Sequence, residues 1–233
     1  MRNAPGRGSM VGVTAVAAAL LVGSGSARAV PAPPPAVVVR AVAPPAPPVT
    51  RAASVIRIPA MPRSFRLSLH EEYQATNYYC VPAATVMSLW TFGVKVSQTV
   101  LAERMRTTTR GTGGDSAASV MDTYLHPQRF DDRIVADVAG RPEILMQRVS
   151  YDVGTLRRAP VIQVWMEKLP WNQGKLKDRW IGHAIIAYGY DQDAGTITVF
   201  DPWRPTGGTH TLSARSLSTT LQGGAGMHYI SRL

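Results

Sequence analysis

Cysteine is almost missing from this chain: its 233 residues contain one, Cys80. A disulfide framework needs paired cysteines, so covalent stapling is excluded. Long apolar runs are scarce as well. The run from Met10 to Val22 is shorter than the roughly 20 residues a spanning helix needs, and no later segment is longer. Clustered charge of one sign is absent. The formal charge is +10, but six arginines precede Arg63, and beyond them 19 basic residues face 15 acidic ones. With no Lys/Arg run and no interleaved aromatic platform, nucleic acid is not expected as a partner. The remaining +4 leaves room for association with an anionic cell envelope.

Metal-ligand spacing is not visible either. His210 and His228 lie far in sequence from any cysteine or acidic cluster, and Asp131–Asp132 and Asp191/Asp193 read as turn acids. Gly113–Gly114 and Gly207–Gly208 lack the strand-to-helix context of a phosphate loop. No cofactor or metal is expected.

What is present divides the chain into three. Residues 1–29 read as a secretory signal: Arg2 and Arg7 precede the apolar run, and Ala27-Arg28-Ala29 offers small residues for cleavage. A secreted or envelope-associated protein without stable membrane insertion is expected. Residues 30–62 hold 10 of the 18 prolines and read as an extended linker. Residues 63–233 are long enough for one core.

Within that domain, Val81 to Phe92 is apolar and Ala-rich, with Pro82 at its start and Gly93 at its end. This predicts a buried helix with Cys80 at its N-terminus. Further helices are predicted near 98–106 (capped by Ser97), 117–125 (capped by Ser116 or Asp115) and 141–150. From Pro160 the texture turns to strands: 161–165, 183–190, 196–200 and 227–233. Helices first and antiparallel strands later make an α+β domain.

A lone thiol is most simply a small buried hydrophobe. Its position argues for more. Unpaired N–H groups and the positive dipole end at a helix N-terminus favour the thiolate, the reactive form. A thiolate needs a base, and the base an orienting acceptor. Of five histidines, His183 alone opens a predicted strand leading through a hairpin to a carboxylate, Asp201. A hairpin centred on Gln192 would set the two opposite each other on one face. Gln74, six residues before Cys80, is placed to donate an N–H to an oxyanion beside the Cys80 backbone N–H. Trp165, Trp171, Trp180 and Trp203 surround the hairpin in sequence as core and cleft walls, with Trp171 or Trp180 available to flank substrate.

The order Gln74, Cys80, His183, Asp201 resembles the papain-like cysteine peptidases. The closer likeness is to the double-glycine leader peptidases that process bacteriocin precursors, in a free-standing secreted form. It is carried by Gln74–Thr85 (QATNYYCVPAAT), Thr109–Thr112, Gly182–Asp191 (GHAIIAYGYD) and Val199–Trp203 (VFDPW). The resemblance implies a papain-like fold, with N-terminal helices packed on a C-terminal antiparallel sheet. It also implies Cys80 as nucleophile, His183 as general base and then acid, Asp201 as its orienter and Gln74 as oxyanion donor. A peptide or protein substrate follows, cleaved through an acyl-thioester. In one respect the chain departs from the family: Val81 stands where glycine usually follows the cysteine, on the approach to the nucleophile. Two rival readings remain: a cell-wall peptide amidase or transpeptidase with the same chemistry, and a catalytically inactive envelope-binding domain on the same frame.

Overall fold

The computed structural model describes residues 61–176 and 180–233. Residues 1–29, expected to be a signal, and nearly all of the linker expected over 30–62 lie outside the described residues. The chain runs β1 (Ser64–Arg66), α1 (Cys80–Trp90), α2 (Gln98–Arg104), α3 (Gly114–Leu125), β2 (Phe130–Val135), α4 (Pro142–Ser150), β3 (Val161–Trp165), β4 (Gly182–Asp191), β5 (Thr196–Asp201), β6 (Gly208–Ser213), α5 (Ala214–Thr220) and β7 (Met227–Arg232). All strand pairings are antiparallel, in the order β2-β7-β3-β4-β5-β6. β4 is long enough that β1 and β3 share one of its edges, β3 against residues 182–186 and β1 against residues 189–191. This is the expected α+β arrangement, and no described helix is long and apolar enough to cross a membrane.

The sheet is covered on both faces, which the sequence reading did not foresee. Alternating strand residues divide between two cores. Val161, Ala184 and Ile230 join α1, α2 and α3 on one face, while Ile162, Ile185, Ala187 and Val199 join α4 and α5 on the other. Double coverage explains why β4 reads as an unbroken apolar run, Ala184-Ile185-Ile186-Ala187. α1 is buried from Cys80 through Leu89, so its sequence is apolar all round instead of striped. Gly93, at φ +76°, ends that helix in a conformation side chains resist.

Several elements depart from expectation. α3 starts at Gly113, an extended cap without a side chain, so Asp115 lies in its first turn and complements the dipole instead of capping. Asp131 and Asp132, expected as turn acids, both lie within β2, and Asp132 is buried. β1, β6 and α5 had no apolar period to reveal them: they read SFR, GTHTLS and ARSLSTT.

Candidate active site

Cys80 opens α1, with no acidic residue in the first turn to oppose a thiolate. β4 pairs with β3 so that His183, the second residue of β4, lies opposite Val164. Cys80 and His183 are both buried and line one cleft.

His183 Nε2 and Asp201 Oδ1 are 2.7 Å apart, with the two side chains 3% and 0% exposed. The hairpin does not place them opposite each other as expected. β4 and β5 pair Ile186 with Phe200, so Asp201 falls across from Ile185, diagonal to His183 and on its face. A bulge between Ala187 and Gly189 shifts the register, and the tip centres beyond Gln192. Because diagonal neighbours share a face, the pairing survives the shift.

Asp201 is held by three donors. Besides the imidazole, the Trp203 backbone N–H reaches Oδ1 at 2.8 Å and the Trp171 indole N–H reaches Oδ2 at 2.8 Å. Trp171 is stacked on His210, with centroids 3.7 Å apart and planes 4° from parallel. It braces the carboxylate, a role the sequence did not signal because no spacing links it to Asp201. Gly207 closes the loop behind Asp201: a Cβ there would collide with the carbonyls of Asp201 and Trp203.

These contacts set the charges. Burial alone would raise the Cys80 thiol, but hydrogen bonding and charge from His183, with the Ala184 and Val81 backbone, bring it below its ordinary 9.0. Burial opposes an imidazolium at His183, yet the charge and hydrogen bond of Asp201, reinforced by Cys80, push it up to about 10. Burial would likewise raise Asp201, but the imidazolium and its donors hold it below the usual carboxylate value. The arrangement favours a thiolate–imidazolium pair. With Nε2 committed to Asp201, Nδ1 is the nitrogen left for Cys80.

Gln74 is buried, but it lines a neighbouring cavity with Trp203 and Arg204 instead of the Cys80 cleft. Its Nε2 donates to the Thr76 carbonyl at 2.7 Å, leaving one N–H of the amide uncommitted, and its Oε1 is buried without a partner. The structure therefore brings Cys80, His183 and Asp201 together and sets Gln74 to one side.

The cleft has a volume of about 290 Å³ and is lined by Val81, Arg110, Thr112, Gln163, Trp180 and Gln222 among others. Val81 is 4% exposed and packs into the core with α1, so most of its side chain does not enter the cleft. Trp180 stands 70% exposed at the rim, edge-on to Trp165 at 5.3 Å. A roomier cavity of about 470 Å³, beside α4 and β7, holds no nucleophile. Asp122, His126 and Asp131 each bring a ligand atom within 4.8 Å of the others at the end of α3, a grouping invisible in the sequence. Three of its four carboxylate oxygens are already engaged: Asp122 Oδ1 by the Asp132 N–H, Asp131 Oδ1 by His126 and Asp131 Oδ2 by Arg133.

A family model described as "Peptidase_C39 like family" matches residues 67–220. This chain belongs to the peptidase C39-like family. Among curated proteins nothing matches. Among solved structures, a double-glycine-motif protease from an AMS/PCAT transporter, in complex with its leader peptide, is 11% identical, covers 72% of this chain and 94% of its own, and has a TM-score of 0.50. The peptidase domain of Streptococcus ComA, a bifunctional ABC transporter, is 16% identical over 71% of this chain and 98% of its own, at 0.48. A putative C39-like peptidase from Bacillus anthracis is 15% identical over 69% and 94%, at 0.49. At 11% identity the likeness to the double-glycine-motif protease speaks for the fold alone.

Proposed function

We propose that this protein is a secreted cysteine peptidase that cleaves peptide bonds through an acyl-thioester at Cys80. The observation that carries the reading is the buried hydrogen bond between His183 and Asp201 beside a cysteine at a helix N-terminus. In the first half-reaction the Cys80 thiolate adds to the substrate carbonyl, and the imidazolium gives its proton to the leaving amine. In the second, neutral His183 takes a proton from water, which attacks the thioester and releases the acid. Asp201 keeps the imidazole oriented and stabilises its charged form. The Cys80 backbone N–H is one donor for the oxyanion, and the remaining N–H of Gln74 is the second once its side chain turns from the neighbouring cavity toward Cys80.

A peptide substrate is supported by the family and by the relative described with a leader peptide bound. Export is supported by the signal-like residues 1–29. The test is turnover of a quenched-fluorescence peptide library by the full chain and by Cys80→Ala. Cleavage that needs Cys80, with a thioester trapped by acid quench and seen by intact mass, is expected. Equal cleavage by both proteins would sink the proposal.

A further inference from the structure

A second histidine–carboxylate pair is buried behind the cleft, and no step of the proposed reaction uses it. His228 Nδ1 lies 2.6 Å from Asp132 Oδ2, with side chains 1% and 0% exposed. The carboxylate oxygen accepts from Nδ1, and the amide nitrogen that faces Nε2 can only donate, so Nε2 is the acceptor. That acceptor faces the amide nitrogen of Gln163 at 3.2 Å. Burying such a pair rarely adds stability over an apolar replacement, so a positional role is the more economical account. Asp152 approaches from the segment after α4, where burial together with the Asp132 charge holds it well above the usual carboxylate range.

Gln163 connects this pair to the cleft that holds Cys80 and His183. Its backbone is pinned on both sides: the N–H donates to Gly226 at 2.9 Å and the carbonyl accepts from Gln222 at 3.0 Å. On β3 it precedes Val164, the residue opposite His183, and shares the α1 side of the sheet with its own partner Ala184. With the amide nitrogen turned inward to His228, the carbonyl oxygen is the end left for the cleft. We infer that Gln163 is a substrate-binding residue whose Oε1 accepts an N–H from the substrate backbone and so sets its register in the cleft, with His228 and Asp132 as the positioning residues that fix its amide. The inference rests on the cysteine peptidase reading.

The probes are acetyl-Gly-Gly chloromethyl ketone and two counterparts, each methylated on one amide nitrogen and so lacking one N–H. All three alkylate a thiolate with loss of chloride. Iodoacetamide, which has no peptide backbone, reports the thiolate reactivity of each variant and normalises the rates. A neutral hydrogen bond contributes about 0.5–1.5 kcal/mol, so the parent should favour the unmethylated probe over one counterpart by roughly 2- to 10-fold more than Gln163→Met does. His228→Asn should lose the same preference; a purely structural role would lower its melting temperature and leave the ratio intact. Parent-like ratios in Gln163→Met for both counterparts overturn the inference while leaving the peptidase reading in place. A parent Cys80 that reacts with iodoacetamide only as an ordinary thiol removes that reading, and the inference with it.

Discussion

His183 and Asp201 meet diagonally across β4 and β5, with Nε2 2.7 Å from Oδ1 and both side chains shut away from water. In such a setting a carboxylate must satisfy its lone pairs inside the protein, and Asp201 does so with the imidazole, the Trp203 N–H and the Trp171 indole. The base of the candidate site is therefore held by a small buried network, and its parts can be removed separately.

Asp201→Ala should lower kcat on the order of 100- to 10,000-fold, since the imidazole loses its orienter. It should also destabilise the domain by about 1–3 kcal/mol, because buried donors are left unpaired. Trp171→Phe removes the indole N–H and one of its two rings but keeps an aromatic surface for His210. Its expected effect is milder, about 10-fold in kcat with the fold retained. Steady-state kinetics and thermal melts of both variants check the ordering; a Trp171→Phe enzyme as impaired as Asp201→Ala would contradict it.

The titrations of Cys80 and His183 have opposite consequences for stability. His183 is raised from 6.5 to about 10, so its contribution is complete below 6.5 and is lost as pH rises toward 10. Cys80 is lowered from 9.0, so its contribution is present above 9.0 and is lost as pH falls through the folded-state value. In the parent, above pH 6.5, the two trends oppose each other. Cys80→Ala removes the compensating trend, and its melting temperature should fall more steeply with rising pH above 6.5 than the parent's. Parallel slopes would count against the coupled pair.

The sequence reading places the domain boundary at residue 62, and the structure supplies a reason to cut earlier. Tyr190 donates its hydroxyl to the Pro62 carbonyl at 2.6 Å, and the Arg63 carbonyl accepts from Gln192 at 2.8 Å. Arg63 also pairs with Asp193. Removing residues 1–60 should leave a cooperatively folding domain. Removing residues 1–67 deletes β1 and these contacts and should cost on the order of 3 kcal/mol, at about 1 kcal/mol per hydrogen bond. Urea denaturation of the two truncations measures the difference.

What the sequence revealed follows from where physical chemistry leaves a local mark. Cys80 at the start of α1 was legible because Pro82, an apolar run and Gly93 bracket a helix. The face shared by His183 and Asp201 was legible from strand alternation, but the register was not, because a bulge at Tyr188 leaves no compositional trace. Asp132 misled for a related reason. An acid mid-strand reads as a turn until its partner is known, and His228 is 96 residues away. The bracing of Asp201 by Trp171 and the grouping of Asp122, His126 and Asp131 likewise depend on tertiary contacts alone. Gln74 shows the limit of spacing arguments: it is buried near the site, yet its amide is bonded to Thr76.

The central claim is that Cys80 and His183 form a thiolate–imidazolium pair. The pH dependence of iodoacetamide alkylation at Cys80, followed by intact mass in the parent and in His183→Ala, tests it most directly. The parent should show an inflection below the ordinary thiol value of 9.0. The variant, with burial acting on the thiol and no imidazolium beside it, should show the inflection moved upward. Circular dichroism checks that the variant remains folded. Two superimposable curves from folded proteins would contradict the pair and, with it, the peptidase reading.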